Sequence, residues 1–423
     1  TFLQKAVRLY YEECLKLSSC GRKWRGKRLK GILAYFLDRP NRFVVRVETK
    51  EGVISAYLPN PGRLWEILLP GAPLLLAASS GTLPYVVMAA KRSNEWILLH
   101  THMANRVARH LLARNLVPGL EGSKLIRPEF TIGDSRFDFL LERDGQKILL
   151  EVKSCTLFGK GVAAFPDAVT ARGKRHIEEM ARLTKEGFKA FVLFVVNSST
   201  PRAFIPDYHT DFDFAATLAN AHDLIDRAPV SVRWDEELTM QVNPERLPIP
   251  WQTIDREMAD SGAYMVIFEL KEPKTIKIGS LGEISFRPAY YVYVGSAKKN
   301  LSARINRHGR KRKKEHWHID YLSSTSKAIR LLPIRTQEDI ECLLSKDLME
   351  ICDFAISNFG ASDCNCRSHL FGFLKDPIKR ADFVNLLLYY RLDRPYRGIF
   401  TERTSSASGV PLAGIAPGAR LHL

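Results

Sequence analysis

Apolar residues near the start of this chain, Leu3, Val7, Tyr10, Tyr11, Cys14 and Leu17, recur at close to helical spacing and predict a helix over residues 1 to 20. The basic segment 21 to 31, with Gly21, Gly26 and Gly31, is expected to be a linker. From Leu33 to about Leu99 the pattern becomes short strands broken by turns: Phe43 to Glu48, Val53 to Leu58, Leu74 to Ala77, Tyr85 to Ala89 and Trp96 to Leu99. Five such strands predict a small β-barrel. A helix is expected from Asn105 to about Arg114, then strands Arg136 to Glu142 and Gln146 to Ser154 around Asp144-Gly145. A second helix over about Val169 to Lys185, stopped at Gly187, and a buried strand Ala190 to Val196 complete an α/β core. Beyond the proline-rich stretch Pro244 to Pro250, strands open at Gly262 and at Tyr290, with an extra hairpin between them over Thr275 to Pro288 and a helix from about Asn300. Ile378 to Leu392 reads as a helix able to pack on this third unit, and the Ser-, Gly-, Ala- and Pro-rich stretch Thr404 to Leu423 as disordered.

The Asp144-Gly145 hairpin carries the sharpest chemistry. With those two residues as the loop, Arg143 pairs with Gln146, Asp138 falls opposite Glu151, and Lys153 lies on the same face two residues on. Like charges opposite each other destabilise a sheet. Ile148, Leu149, Leu150 and Val152 also read as a strand buried on both faces, where Glu151 meets little water. A divalent cation balances the pair, because Mg²⁺ takes one or two carboxylates and leaves positions for water and phosphate oxygens. The alternative is a solvated strand on which Asp and Glu-x-Lys meet by chance.

Composition then narrows the partner. The chain has 423 residues, enough for about three domains, and a formal net charge of +17, which points to a polyanion and most simply to nucleic acid. Basic residues cluster at Arg22 to Lys30 and again at Arg304, Arg307, Arg310 and Lys311 to Lys314. Arg172, Lys174 and Arg175 crowd the first turns of the second predicted helix, where the helix dipole disfavours cations; a bound phosphate relieves that repulsion, and splaying into solvent is the other reading. The loop Leu58-Pro59-Asn60-Pro61-Gly62-Arg63-Leu64 presents Asn60 and Arg63 either to nucleic acid or as a purely structural turn. Seven unevenly spread cysteines argue against a disulfide framework and for a reducing, cytoplasmic setting. No apolar stretch reaches the roughly 20 residues of a membrane span, residues 1 to 20 carry Glu12 and Glu13 without a signal-peptide pattern, and a chain opening on Thr1 is expected to be processed or incomplete.

Asp, a short gap and Glu-x-Lys is the arrangement of PD-(D/E)XK nucleases. Leu58 to Arg63, Arg136 to Phe139, Leu150 to Ser154 and above all Phe165-Pro166-Asp167-Ala168-Val169-Thr170-Ala171-Arg172-Gly173 resemble the signature blocks of the sugar fermentation stimulation protein A (SfsA) family over about residues 29 to 247. The resemblance implies an OB-fold-like barrel over 29–98 and a PD-(D/E)XK nuclease-like α/β domain over 99–247, with DNA binding favoured over RNA. It also implies a Mg²⁺ or Mn²⁺ site at Asp138 and Glu151, Glu129 as a further acid, and Lys153 facing phosphate.

After a linker at 248–261, a tyrosine strand, a Tyr-x-Gly strand and an Arg-bearing helix resemble the GIY-YIG nucleases over 262–374, an α+β domain. That resemblance assigns catalytic parts to Tyr264, Tyr293 and Arg304, while the basic cluster offers Arg307 and Lys311 for nucleic-acid contact. Its metal-holding glutamate is not fixed: Glu338 and Glu341 are offered, while Ser345 and Lys346 occupy the expected register. His316 to Leu322 and Cys364 to Phe371 resemble a subfamily of undefined activity. There Cys364, Cys366 and His369, with His316 or His318, make either a Zn²⁺ site or ordinary buried side chains. The expectation is a multidomain α+β protein that binds DNA and hydrolyses phosphodiester bonds with a divalent metal; the alternative is a DNA-binding regulator that does not cleave.

Overall fold

The computed structural model describes residues 31–241, 244–310, 315–398 and 421–422. The expected N-terminal helix, residues 21–30 of the linker, Lys311 to Lys314 and most of the C-terminal tail lie outside the described residues.

Six strands, one more than expected, form the first sheet: β1 (Ile32–Asn41), β2 (Val44–Thr49), β3 (Gly52–Tyr57), β4 (Pro73–Ala78), β5 (Tyr85–Arg92) and β6 (Glu95–Leu98). Their order is β3-β2-β1-β4-β5-β6, and a parallel bridge from Tyr57 of β3 to Val86 of β5 closes the barrel. The unforeseen strand is β1. Ala34 and Phe36 enter the core while Ile32, Leu33 and Tyr35 lie exposed, so apolar residues on both faces hide the period of two.

The middle region begins with α1 (Ala104–Leu112), followed by β7 (Lys124–Ile132), β8 (Ser135–Arg143), β9 (Gln146–Cys155), β10 (Leu157–Phe158) and β11 (Val162–Phe165). It continues through α2 (Ala171–Thr184), β12 (Lys189–Val196), β13 (Ala203–Pro206), α3 (Phe212–Asn220), β14 (Ile225–Ser231), β15 (Thr239–Met240), β16 (Glu245–Arg246) and α4 (Trp251–Glu257). One mixed sheet runs β16-β14-β12-β9-β8-β7, with β9, β12 and β14 parallel and β7, β8 and β9 antiparallel. Helices cover both faces, which is why β9 and β12 read as continuous apolar runs. Val107, Ala108 and Leu111 of α1 pack with Phe139, Leu150 and Phe191; Ile177, Met180 and Leu183 of α2 pack with Phe137, Leu149 and Phe194. Each such fully buried Val, Leu, Ile, Met or Phe side chain contributes about 1.5–3 kcal/mol.

The last region holds β17 (Gly262–Leu270), β18 (Lys274–Ile278), β19 (Gly282–Phe286), β20 (Ala289–Ala297), α5 (Leu301–His308) and α6 (His318–Thr325). Then come β21 (Lys327–Arg335), α7 (Glu341–Ile351), β22 (Phe354–Ala355), β23 (Leu370–Phe373) and α8 (Ala381–Leu388). An antiparallel sheet β21-β17-β20-β23-β22 forms the core, and β18 and β19 are the expected extra hairpin. The segment expected as one helix from Ile378 is a 3₁₀ turn at Pro377–Lys379, then α8, then a wider π-type turn at Tyr389–Asp393. It packs on the middle region as well as on its own. Val384, Leu388, Leu392 and Tyr396 join Leu157, Val162, Ile205 and Tyr208 in one cluster, and Asp393 accepts the Lys160 and Gly161 N–H groups at 2.9 Å each. Among the described residues no helix is long and apolar enough to cross a membrane.

Candidate metal and nucleic-acid site

The hairpin forms with the register that its turn dictates. Asp144 and Gly145 take φ of 53° and 76°, the left-handed values of a type I′ turn. Pairing runs from Arg143 with Gln146 to Phe139 with Leu150, so the next step sets Asp138 against Glu151. There the ladder gives way to side chains: Asp138 Oδ2 accepts the Val152 N–H at 2.8 Å, and Oδ1 accepts from Asn105 Nδ2 of α1 at 2.7 Å.

Glu151 is 4% exposed. Its Oε1 accepts from Lys153 Nζ at 2.6 Å and lies 2.9 Å from His176 Nδ1 of α2. Arg172 Nε donates to His176 Nε2 at 3.5 Å, which makes Nε2 the acceptor and Nδ1–H the donor to Glu151. Burial pushes the Glu151 carboxyl up, but the Lys153 charge and the His176 hydrogen bond outweigh it and hold the group at about 2. Burial, and then the Glu151 charge, raise Asp138 above the usual carboxylate range. Glu151 Oε2 is buried and has no hydrogen-bond partner among the described residues. A carboxylate oxygen left bare in the interior is costly. With Asp138 alongside, it suits a hard divalent cation that takes oxygen ligands.

The other expected residues divide. Arg172 and Arg175 are exposed at the start of α2, beside His176. Lys174 is half-buried and pairs with Asp213 at 3.6 Å and Glu178 at 4.0 Å. Glu129 falls in register opposite Asp138, between the Pro128–Phe139 and Phe130–Phe137 pairs, but its side chain is 51% exposed and lies 3.6 Å from Arg136. Asn60, expected to reach nucleic acid, is a correction: it is 3% exposed, accepts from Gly62 N at 2.9 Å and donates to Leu99 O at 3.1 Å. It holds the loop's shape. Arg63 stacks 4.9 Å over Trp65 and lines a small cavity with Glu66, Asp167, Asp207 and Arg391, where the barrel, the middle region and the end of α8 meet. Asp167 Oδ2 accepts the Leu64 N–H at 2.7 Å and fastens that loop to the middle region.

In the last region Tyr264 and Tyr293 are buried with ring centroids 6.3 Å apart, and Tyr264 Oη lies 2.9 Å from His308 Nε2. A Cβ at Gly295 would come 2.5 Å from Tyr264 Oη, which explains glycine in the Tyr-x-Gly strand. Arg304 Nη1 donates to Ser296 O at 3.3 Å and its guanidinium lies 4.8 Å over Trp317. The acid beside these groups is Glu341, not a residue at the Ser345 register: Ser345 is 2% exposed, and Glu338 pairs with Arg394. Ser296 Oγ donates to Glu341 Oε2, and His369 Nδ1 lies 2.9 Å from Oε1. Arg307 is a second correction. It makes a bidentate pair with buried Asp320 at 2.8 and 2.9 Å, so its charge is committed within the fold. Lys311 lies outside the described residues. Cys364, Cys366 and His369 do meet, with Cys342 rather than with His316 or His318; His318 Nδ1 instead accepts from Gly360 N at 3.1 Å.

Sequence reasoning missed Asn105, His176 and Cys342 as members of these sites. The one signal was His176 itself, a polar residue in the otherwise apolar buried set Ile177, Met180 and Leu183.

Comparison with known proteins follows this division. The profile of the sugar fermentation stimulation protein RE domain matches residues 102–237, that of the SfsA N-terminal OB domain residues 37–99, and that of the domain of unknown function DUF123 residues 263–387. A sugar fermentation stimulation protein homolog from Methanothermobacter thermautotrophicus is 36% identical over 221 residues, 51% of this chain and 92% of the relative. The homolog from Moorella thermoacetica is 39% identical over 196 residues, 45% of this chain and 84% of the relative. The structure of Pyrococcus furiosus SfsA in complex with Ca²⁺ aligns at 26% identity and a TM-score of 0.49, covering 53% of this chain and 99% of that one.

Proposed function

Because this chain belongs to the sugar fermentation stimulation protein family, we propose that it is a DNA-binding protein that hydrolyses phosphodiester bonds with Mg²⁺ or Mn²⁺ at Asp138 and Glu151. The observation that carries this reading is the buried Oε2 of Glu151, unpartnered among the described residues, beside Asp138 and with Lys153 on the same strand. Asp138 and Glu151 would hold the ion, with Glu129 in register to join them. When bound, the ion supplies a Lewis acid that neutralises phosphate charge and lowers the pKa of an attacking water.

The rest is the work of the chain's own groups. His176 fixes the Glu151 carboxylate through Oε1 and keeps Oε2 turned to the ligand. Lys153 reaches Glu151 at 2.6 Å and its charge also acts on Asp138, so it is placed to stabilise charge developing on the phosphate. Arg172 and Arg175 stand exposed at the start of α2, where the phosphate backbone gains most from them. The barrel supports the bound strand, and the GIY-YIG-like last region, through the half-buried Arg304, contributes binding more than cutting, its tyrosines Tyr264 and Tyr293 being buried.

The second reading, a DNA-binding regulator that does not cleave, draws on one observation: both Asp138 oxygens already accept hydrogen bonds. Incubating the purified chain with labelled single-stranded, duplex and branched DNA and RNA, in Mg²⁺, Mn²⁺ or EDTA, separates the two. Metal-dependent cleavage lost in Glu151→Gln supports the nuclease; binding without cleavage on every substrate supports the regulator.

A further inference from the structure

The thiols of Cys342, Cys364 and Cys366 and a ring nitrogen of His369 lie within 4.8 Å of one another. They come from two separate pieces of chain. Cys342 is the second residue of α7, whereas the other three belong to the loop that leads from β22 into β23. That loop is held firmly at its end: His369 N donates to Phe359 O at 2.8 Å, and Val294 N donates to His369 O at 2.9 Å. The cysteines are all free thiols.

The histidine shows which way the cluster faces. His369 is 2% exposed, its Nε2 lies 3.4 Å from Cys364 Sγ, and its Nδ1 lies 2.9 Å from Glu341 Oε1. A carboxylate on Nδ1 fixes the proton there and leaves the Nε2 lone pair directed at the thiols. This is how a metal-ligating histidine is oriented by a carboxylate behind it. Ser296 Oγ donates to the other Glu341 oxygen, so the carboxylate is itself held.

We propose that Cys342, Cys364, Cys366 and His369 bind one Zn²⁺ in a closed, structural site, oriented through His369 by Glu341. Three soft thiolates and one imidazole around a single point suit Zn²⁺ among the common ions, and four protein ligands leave no position for water. The ion ties the start of α7 to the loop before β23. Glu341 then serves the zinc ligand and is not available to hold a catalytic ion beside Tyr264 and Arg304.

The test uses the full chain purified under reducing conditions. Elemental analysis should find one zinc per chain. Replacement by Co²⁺ should give the intense visible bands and thiolate charge-transfer absorption of a tetrahedral sulfur site. Cys364→Ser and Cys366→Ser should lose the ion. Glu341→Gln should retain it with affinity lowered about 10–100-fold, read by competition with a chromogenic chelator. Glu151→Gln should bind zinc as the wild type does, which separates this site from the hairpin site whatever the fate of the nuclease reading. Should the cysteine variants fail to fold, the cobalt spectrum of the wild-type chain still decides. A chain with neither zinc nor cobalt–thiolate bands, one in which thiol counting finds a disulfide among these cysteines, or zinc lost in Glu151→Gln but kept in Cys364→Ser would overturn the proposal.

Discussion

Glu151 and Glu341 are the same pair of groups used in opposite directions. Each carboxylate has a histidine Nδ1 at 2.9 Å from its Oε1, His176 in one region and His369 in the other. At Glu151 the far side of the histidine is occupied by Arg172, while the far oxygen of the acid has no partner among the described residues. At Glu341 the far oxygen takes Ser296 Oγ, while the far nitrogen of the histidine faces thiols. On the roles proposed above, the histidine positions the acid for a ligand in the first case, and the acid positions the histidine in the second. The lesson is that an acid–histidine contact says little until the remaining lone pair of each partner has been traced.

The strongest way to break this comparison is to neutralise each acid in turn. Glu151→Gln is expected to lower metal-dependent cleavage on the order of 100-fold or more, and Asp138→Asn to do the same. DNA binding should be unchanged or tighter, since a negative charge near the phosphates is gone. Glu341→Gln should leave cleavage within about 3-fold of wild type, because that acid makes no contact with the reacting groups. Wild-type cleavage by Glu151→Gln, or its loss in Glu341→Gln alone, would reverse the roles assigned here.

A smaller effect is expected at the positioning residue. His176→Ala keeps both carboxylates but leaves Glu151 Oε1 with Lys153 as its remaining partner, and loss of an orienting partner typically costs 10–100-fold in metal affinity. Cleavage measured against Mg²⁺ concentration should shift to higher metal with most of the maximal rate retained. An unshifted curve would mean that His176 only fills space against Phe137, whose ring centroid is 5.9 Å away.

How much of this was legible beforehand follows from how local each feature is. The Asp144-Gly145 turn fixes its own register within one hairpin, so the Asp138–Glu151 pairing could be read by counting. Asn105 and His176 reach the same point from helices on opposite faces of the sheet, and nothing in a one-dimensional pattern says which helical residue meets which strand. Cys342 stands 22 positions before Cys364, too far for any spacing rule, and only the packing of α7 brings it in. Asn60 and Arg307 failed for a different reason. A polar side chain in a loop or on a basic helix looks free until its own backbone or a buried acid such as Asp320 claims it.

Arg304→Ala sharpens the contrast further. Its guanidinium is half-buried over Trp317 and near Glu341, and in the reading above it binds phosphate without driving cleavage. Removing one phosphate contact should weaken DNA binding several-fold, on the order of 1 kcal/mol, and lower the salt slope by about 1. Cleavage at saturating protein should remain dependent on Glu151. An unchanged salt slope would show that Arg304 is a packing residue of the Trp317 neighbourhood.

The smallest effect concerns the seam that holds both sites in one molecule. Glu66 lies there, 5% exposed, with Oε1 unpartnered among the described residues; burial, and then the Asp167 charge, push it up from an ordinary 4.5 to about 8. A carboxyl whose folded value is raised binds its proton more tightly when folded. Its contribution to stability is complete below about 4.5 and is lost as pH rises through about 8. Asp167, pushed up to about 6 chiefly by burial, acts in the same sense at lower pH, and His369, which burial lowers but its Glu341 contact raises overall, acts in the same sense above about pH 6.5, so the share of Glu66 is read from the difference between Glu66→Gln and the wild type. Thermal melting of the wild-type chain should therefore fall by a few degrees between about pH 6.5 and pH 8.5. Glu66→Gln, neutral throughout and of nearly the same shape, should fall less over that interval. Parallel curves for the two proteins would show that the proton on Glu66 does not stabilise the seam.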